Sequence, residues 1–487
     1  MNVHHQQLVC SLTSEQKGAY TQILDAVSSN NGGFFFLYGF GGSGKTFVWN
    51  TLSAALRSEG KIVLNVASSG IASLLLPGGR TAHSRFSIPI TIHESSTCNV
   101  RQGSHKAEML QKSSLIIWDE APMLNKHCFE SLDKTMNDIM KTQATFGHDK
   151  PFGGKAVFLG GDFRQILPVI LKGSRSEIIS SSVNSSYLWK HCKVMKLTTN
   201  MRLQQVGSSS SSLEIKEFAD WLLQVGDGTV KPIDEDDYII EIPSDLLVRE
   251  PDNPLLELVN FAYPIVVANL ENHAYFEQRA LLAPTLESVE EVNNFMMSDE
   301  DSEIDAKWFT SEFLNDVKWS GIPNHRIVLK VGVPIMLIRN IDQSAGLCNG
   351  TRLIASALTP YIIVATALSG SKTGKHVYIP RLSLTASDTG LPFKFSRRQF
   401  PITVCFAMTI NKSQGQSLSH VGLYLPRPVF THGRLYVALS RVKSRKGLKI
   451  LIVDDKGVVS NCTRNVVYEE IQQTFNDNGA ASNKWNA

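Results

Sequence analysis

A glycine-rich turn between an apolar run and a helical stretch is the feature that most constrains how this chain folds. Residues 33–38 read Gly-Phe-Phe-Phe-Leu-Tyr, which is typical of a buried parallel strand. Residues 39–46 follow as Gly-Phe-Gly-Gly-Ser-Gly-Lys-Thr and fit the pattern G-x-x-x-x-G-K-[ST]. A helix is predicted over residues 45–57. Strand, turn and helix together form the opening unit of an α/β sheet.

The chemistry of this turn is phosphate binding. Its glycines allow backbone N–H groups to face phosphate oxygens, and the start of a helix adds positive potential. Lys45 can reach the β- and γ-phosphates of a nucleotide, and the Thr46 hydroxyl can bind Mg²⁺. The candidate nucleotide-binding residues are Gly39, Gly41, Gly42, Ser43, Gly44, Lys45 and Thr46.

A second apolar run ends in two adjacent carboxylates. Residues 114–118 predict a strand, and Asp119 and Glu120 follow it directly. Hydrolysis of a nucleotide needs one carboxylate to hold Mg²⁺ and another to orient or deprotonate the attacking water. We assign the first role to Asp119 and the second to Glu120, which favours hydrolysis over transfer to a bound substrate.

The first half of the chain predicts one α/β domain. Strands at residues 61–66 and 156–160, alternating with helical stretches, extend the first two into a doubly wound parallel sheet. We place this domain at residues 1–206. Residues 207–213 are rich in serine and predict a flexible linker, or the solvated start of the helix that follows.

The second half predicts another α/β domain that is interrupted by a small barrel. The α/β domain is predicted at residues 214–325 and 401–487. The barrel is predicted at residues 326–400, where short alternating strands occur without an obvious helix. The predicted strands of the α/β part are 263–267, 280–284, 402–407 and 449–453, and those of the barrel include 334–338 and 376–379.

Charge is distributed unevenly along the chain, although the net charge of the 487 residues is only +3. Between Leu391 and Ile450 there is no Asp or Glu, whereas acidic residues gather at 234–237 and 299–303. A basic segment of this length is typical of a surface that binds a polyanion. A solvated basic surface without a ligand is the alternative, and composition alone does not decide between them. The basic residues of the segment are Lys394, Arg397, Arg398, Lys412, Arg427, Arg434, Arg441, Lys443, Arg445, Lys446 and Lys449.

Composition also argues against several classes of protein. No apolar run approaches the ~18 residues of a membrane-spanning helix, and the first residues lack a signal core. The seven cysteines are far apart and form no C-x-x-C pair. We therefore expect a soluble protein of a reducing compartment, without a zinc module, a disulfide framework or membrane association.

The order of the motifs resembles that of Pif-like (petite integration frequency) DNA helicases. The resemblance extends from about residue 11 to 455, and ordered motifs of this number are more specific than any one of them. The matching segments are 13–16 (TSEQ), 41–46 (GGSGKT), 67–72 (ASSGIA), 81–86 (TAHSRF), 119–123 (DEAPM), 160–165 (GGDFRQ), 200–202 (NMR), 331–334 (VGVP) through 347–350 (LCNG), 409–416 (TINKSQGQ) and 436–441 (YVALSR).

The resemblance implies a fold and an activity. The fold would comprise two RecA-like P-loop domains and a small wedge at about residues 84–112. The inserted barrel would be SH3-like. The activity would be that of a superfamily one, ATP-dependent, 5′-to-3′ helicase that uses ATP and Mg²⁺ and acts as a monomer on single-stranded and partial duplex DNA. The family further implies roles in repair, recombination or telomere maintenance, in the nucleus, with the mitochondrion as the alternative compartment. The helicase part of Helitron transposons is a related possibility.

The resemblance also implies roles for individual residues. Gln16 would read the adenine edge, Gln165 would sense the γ-phosphate, and Arg202 and Arg441 would be arginine fingers. Gly415 would lie among the nucleotide-binding residues. The DNA contacts would come from His83, Ser84, Arg85, Phe86, Lys412, Ser413 and Gln414. Phe86 would stack on a base, although a place in the core is the alternative for this ring.

Two other functions stay open. The segment between about residues 293 and 309 is shorter than is usual in the family, which favours a DNA-stimulated translocase that does not unwind. The second alternative, from a different class, is a nucleotide-gated DNA-binding protein derived from a transposon helicase. The second would not need to retain Lys45, Asp119, Glu120, Arg202 and Arg441, all of which are present.

Overall fold

The structure is a computed structural model, and the chain forms two compact units. The first comprises Met1–Tyr238, Phe430–Ser440 and Asn465–Ala487, and the second comprises Ile239–Val429 and Arg441–Arg464. The first unit thus extends past the predicted boundary at residue 206 and includes two later segments. The structure describes residues 2–141, 150–201, 210–234, 238–249, 252–270, 272–297, 322–343, 345–368, 373–385, 396–454 and 456–471.

A six-stranded sheet forms the centre of the first unit. Its strands are β1 (Gly33–Gly39), β2 (Ile62–Ala67), β3 (Arg80–Thr81), β4 (Ser113–Asp119), β5 (Ala156–Gly161) and β6 (Cys192–Leu197). They lie in the order β3-β2-β4-β5-β1-β6, and every pairing is parallel. The predicted doubly wound parallel sheet is confirmed, because all four predicted strands lie in it.

Helices cover both faces of this sheet. Alternation along β1 sends Phe34 and Phe36 into one core, and Phe35 and Leu37 into the other. The helices and their bounds are α1 (Asn2–Cys10), α2 (Ser14–Ser28), α3 (Lys45–Ser58), α4 (Gly70–Leu74), α5 (Ala82–Phe86), α6 (His105–Lys112), α7 (Lys126–Met140), α8 (Arg175–Ser181) and α9 (Ser210–Asp227). Short 3₁₀ turns lie at Ala121–Met123, Pro151–Gly154, Val183–Ser185 and Trp189–His191.

The second unit contains a smaller α/β sheet. Its order is β16-β8-β17-β18-β19, in which the first four strands are parallel and β19 is antiparallel. These strands are β8 (Arg279–Ala283), β16 (Ala407–Thr409), β17 (His420–Leu425), β18 (Leu448–Val453) and β19 (Val459–Ser460). The helices of the unit are α10 (Pro254–Ala262), α11 (His273–Glu277), α12 (Leu286–Met297) and α13 (Ile410–Ser413). A separate antiparallel pair joins β7 (Ile239–Glu241) to β20 (Cys462–Arg464).

An antiparallel sheet lies in the region where the inserted barrel is predicted. Its order is β12-β11-β10-β9-β15, and a hairpin of β13 and β14 accompanies it. The sheet has its own buried apolar cluster, which includes Ile335, Leu353, Ile363 and Ile379. The bounds are β9 (Pro334–Leu337), β10 (Arg352–Leu358), β11 (Ile362–Ala367), β12 (His376–Pro380), β13 (Leu382–Thr385), β14 (Ser396–Gln399) and β15 (Ile402–Val404).

Two predicted strands of the second unit are wrong in detail. Residues 263–267 form no strand, because Tyr263 terminates α10 and a 3₁₀ turn starts at Val267. Ile265 and Val267 are exposed, so the β-branched run that predicted a strand is not buried. The predicted strand 402–407 is divided, since β15 joins the inserted sheet and β16 joins the α/β sheet.

The helix α14 (Arg434–Leu439) belongs to the first unit. A 3₁₀ turn, Arg445–Gly447, follows it in the chain and belongs to the second unit. Among the described residues, no helix combines the length and apolar character needed to cross a membrane.

Candidate nucleotide-binding and DNA-binding site

The phosphate loop connects the end of β1 to the start of α3. Gly44 immediately precedes the helix with φ +86°, a conformation that L side chains rarely adopt. A Cβ at this position would lie 2.3 Å from the Gln16 amide nitrogen, so a side chain here would be strained by the backbone conformation and would also displace the Gln16 amide. The Ser43 hydroxyl donates to the Phe40 carbonyl at 2.9 Å and closes the turn.

Lys45 lies at the first position of α3, and its ammonium group donates to two carbonyls of the loop. These are the Gly39 carbonyl and the Phe40 carbonyl, the second at 3.3 Å. The lysine is thus held within the turn that the sequence assigns to phosphate binding. Thr46 is the next residue of the helix and is half-buried.

Asp119 is buried at the carboxyl end of β4 and has a perturbed pKa. Its Oδ1 atom accepts the Glu120 N–H at 3.0 Å, and the residue is 5% exposed. Burial raises the pKa of Asp119, and the positive charge of Lys45 acts against that rise. Asp119 and Lys45 therefore interact electrostatically in the fold, although they are 74 positions apart in the chain. A hydroxyl from Thr46 and a carboxylate from Asp119 are hard oxygen donors of the kind that Mg²⁺ prefers.

Glu120 has a backbone conformation that is unusual for a residue other than glycine. Its φ and ψ are 53° and 38°, in the left-handed region, and a 3₁₀ turn containing Pro122 follows. Such conformations cost about 1–3 kcal/mol and are concentrated at functional sites. Glu120 thus has this strained conformation at the end of β4, directly after the predicted Mg²⁺ ligand Asp119.

Gln16 contacts the phosphate loop rather than lying free. It is 1% exposed, and its Oε1 accepts the Thr13 N–H at 3.0 Å while its backbone N–H donates to the Thr13 hydroxyl. Its Nε2 donates to the Ser43 carbonyl at 3.3 Å. Thr13 and Gln16 thus form a capping box, for which the Thr-x-x-Gln spacing is the signal in the sequence. Gln16 therefore joins the start of α2 to the loop, and its contact with adenine stays a prediction.

A buried polar network follows β5, next to the predicted γ-phosphate sensor. Gln165 is 3% exposed, and its N–H donates to the Asp162 carbonyl at 3.1 Å. Arg164 donates to both oxygens of Asp227, at 2.7 and 3.2 Å, and to Asp162 at 3.4 Å. Burial acts to lower the pKa of Arg164, but Asp162 and Asp227 outweigh it and hold that pKa above its usual value.

The motifs of the first unit meet at one edge of its sheet. The phosphate loop follows β1, Asp119 and Glu120 follow β4, and the segment 162–165 follows β5, which lies between the other two strands. Carboxyl ends of neighbouring parallel strands share an edge, where open α/β sheets bind their ligands. The nucleotide residues predicted from separate motifs are thus brought together in this unit.

One of the two predicted arginine fingers is described. Arg202 lies outside the described residues. Arg441, in the second unit, is 5% exposed, and its Nη1 donates to the Gln416 carbonyl at 3.1 Å and the Ser413 carbonyl at 3.5 Å. Arg441 is therefore anchored to the turn that follows α13.

The predicted DNA-binding segment of the second unit is partly internal. Ser413 is fully buried and donates to the Ile410 carbonyl at 2.7 Å, and Gln414 is 3% exposed. Gly415 has φ +82° at the turn. Lys412 is half-buried, and burial lowers its pKa. Of this segment, Lys412 is the cation that can meet a phosphate, whereas Ser413 shapes the backbone.

The predicted DNA contacts of the first unit lie on α5, and one of them is wrong. Ala82 and Phe86, four residues apart, are both fully buried because they form the core-facing side of the helix. The Phe86 ring centroid lies 5.6 Å from that of Trp118, so Phe86 packs in the core rather than offering a surface for a base.

The other three residues of α5 remain half-buried. Burial lowers the pKa of His83, which favours its neutral form. The Arg85 Nη2 donates to the Gly78 carbonyl at 2.9 Å, and the Ser84 carbonyl accepts from Lys106.

A phosphate loop and two adjacent carboxylates at the same edge of one parallel sheet define a P-loop nucleoside triphosphatase. The profile of the PIF1-like helicase family matches residues 11–236, and that of the DNA helicase Pif1 2B domain matches residues 312–358. Together the two matches cover more than half of the chain. The chain belongs to the Pif1-like helicase family and is an ATP-dependent DNA helicase by class.

Individual relatives agree with this assignment. The chain is 26% identical to the ATP-dependent DNA helicase PIF1 of Danio rerio, over 99% of this chain and 69% of that protein. It is 26% identical to the Homo sapiens protein of the same name, over 92% of this chain and 62% of that protein. The chain thus spans about two thirds of these relatives. A structure of the Bacteroides Pif1 helicase in complex with ADP-AlF3 and ssDNA has the same fold, with a TM-score of 0.64, 22% identity, and coverage of 96% of this chain and 97% of that one.

Proposed function

We propose that this chain couples ATP hydrolysis to 5′-to-3′ movement along single-stranded DNA and to the separation of duplex DNA. The observation that carries the proposal is the convergence of three motifs at one edge of the first sheet, after β1, β4 and β5, in a chain of the Pif1-like family. The direction of movement comes from the family resemblance alone.

The nucleotide chemistry follows from the residues at this edge. Lys45 and the loop N–H groups would hold the phosphates of ATP. Thr46 and Asp119 would hold Mg²⁺, which would neutralise charge on the phosphate oxygens. Glu120 orients the attacking water and accepts its proton, since it is the second carboxylate at the end of β4, next to Asp119. The family resemblance assigns to Arg202 and Arg441 the positive charge that stabilises the developing negative charge.

The DNA partner follows from cations in the second unit and from relatives. Lys412 and the acid-free segment that contains it offer positive charge for a phosphate backbone. The Bacteroides structure contains single-stranded DNA, and the named relatives are called DNA helicases. We propose single-stranded and partial duplex DNA as the substrates, and a monomer as the active form.

The cellular role is proposed from the family alone. DNA repair, recombination and telomere maintenance in the nucleus are the pathways that fit a Pif1-like enzyme, and the mitochondrion is the alternative compartment.

ATP turnover with and without single-stranded DNA tests the proposal. We expect turnover by the wild-type chain to rise at least tenfold when single-stranded DNA is added, and Lys45→Ala to remove turnover in both conditions. DNA binding without any ATP turnover by the wild type would refute the enzyme and favour the nucleotide-gated DNA-binding protein.

A further inference from the structure

The segment before Arg441 is attached to the loop that carries Gln165. In the first unit, Tyr436 on α14 is 2% exposed, and its hydroxyl donates to Oδ2 of Asp162 at 2.8 Å. Asp162 is fully buried and lies three residues before Gln165. Burial and the Asp162 carboxylate raise the pKa of Tyr436 well above its usual value, so the hydroxyl keeps its proton and acts as a donor.

Two further contacts attach the same segment to the same loop. His432 is 1% exposed, and its Nε2 lies 2.8 Å from the Phe163 carbonyl while its Nδ1 accepts the Tyr468 N–H at 2.8 Å. Because Nδ1 is the acceptor, Nε2 carries the proton and donates to Phe163. A Cβ on Gly433 would lie 2.4 Å from the Arg164 carbonyl oxygen and 2.6 Å from that of Gln165. The segment 432–436 therefore contacts each of the four residues 162–165.

The two segments are brought together by folding rather than by sequence proximity. The Tyr436–Asp162 hydrogen bond joins residues 274 positions apart, and the Asp162 carboxylate also accepts from Arg164.

We propose that Tyr436 is a positioning residue that fixes the γ-phosphate-sensing loop 162–165 through Asp162. This inference rests on the proposed function, because it needs Gln165 to act on the bound nucleotide. The Tyr436 hydroxyl holds the Asp162 carboxylate, and the Asp162 carbonyl in turn accepts the Gln165 N–H at 3.1 Å. Loss of the hydroxyl should slow the chemical step and leave the binding of ATP and of DNA intact, because that hydroxyl donates to Asp162 and not to the phosphate loop or Lys412.

Tyr436→Phe tests the link by removing one oxygen atom and keeping the ring. We expect kcat for DNA-stimulated ATP turnover to fall roughly tenfold, the usual effect of losing one hydrogen bond to a charged partner. The KM for ATP and the Kd for single-stranded DNA should change less than about twofold. Tyr424→Phe is the matched control, since Tyr424 is 6% exposed and its hydroxyl donates to Glu291 at 2.9 Å in the second unit.

A second variant tests the same hydrogen bond if Tyr436→Phe folds poorly. Asp162→Asn weakens the same hydrogen bond from the other side, and the double variant should lose no more kcat than the worse single variant. A lower melting temperature with unchanged kcat in Tyr436→Phe, or equal losses of kcat in Tyr436→Phe and Tyr424→Phe, would overturn the inference. A wild-type chain whose ATP turnover ignores DNA would instead refute the proposed function, and the inference with it.

Discussion

His432 should make the stability of the first unit depend on pH. Its complete burial lowers the pKa to about 4, compared with the ordinary 6.5, even though the Phe163 carbonyl opposes the change. Between pH 6.5 and 4 the unfolded chain therefore binds a proton that the folded chain does not, and stability falls as the pH falls through this window. The gap corresponds to about 3 kcal/mol of unfolding free energy, lost in full only near pH 4.

Replacement of His432 by glutamine isolates this contribution. Glutamine can still donate to Phe163 but does not titrate, so His432→Gln should be less stable than the wild type at pH 7.5. Its unfolding free energy should then fall less steeply between pH 6.5 and 4.5. Urea unfolding at several pH values measures both chains, with tryptophan fluorescence as the probe, because Trp49, Trp118 and Trp189 are all in the first unit.

His105 has a fully exposed side chain in the same unit, so His105→Gln should follow the wild-type curve at every pH. If the unfolding free energies of the wild type and His432→Gln fall in parallel from pH 6.5 to 4.5, the neutral His432 inferred from its two hydrogen bonds is wrong.

Three further outcomes are expected. Glu120→Gln should lower the turnover of ATP by at least about 100-fold while ATP binding persists, as measured by single-turnover kinetics and nucleotide titration; wild-type turnover would refute the assigned role of Glu120. Affinity for single-stranded DNA should fall with salt at a log–log slope of about −0.7 per phosphate contact, and Lys412→Ala should make the slope shallower, whereas an unchanged slope would remove Lys412 from the DNA path. Gln165→Ala should reduce DNA stimulation of turnover more than DNA affinity, and equal losses would contradict a sensing role.

Local patterns made most of the fold and the nucleotide site predictable. The phosphate loop follows one short apolar run, and Asp119 and Glu120 follow another; such runs can be recognised from neighbouring residues alone. The parallel pairing of the strands then brings the carboxyl ends of these strands to one edge of the sheet. The positions of the motifs in the sequence were therefore sufficient to predict that they lie together. The strand predicted at residues 263–267 failed because β-branched side chains also occur in exposed turns after a helix.

Contacts between distant segments were not predictable in this way. Phe86 and Ala82 are the buried residues of the five-residue helix α5. So short a helix shows no helical periodicity in the sequence, so the burial of Phe86 could not be predicted. The bond between Tyr436 and Asp162 joins two motifs that were recognised separately, and neither spacing nor composition indicates that they touch. The division of residues 402–407 between two sheets likewise depends on partner strands elsewhere in the chain.

Unwinding of two tailed partial duplexes tests the central claim most directly. One substrate carries only a 5′ single-stranded tail and the other only a 3′ tail, and Lys45→Ala serves as the inactive control on both. We expect the wild-type chain with ATP to separate the 5′-tailed duplex and leave the 3′-tailed one intact, with no separation by the control. Preferential unwinding of the 3′-tailed duplex would contradict the proposed direction, and DNA-stimulated turnover with no unwinding of either substrate would show a translocase rather than a helicase.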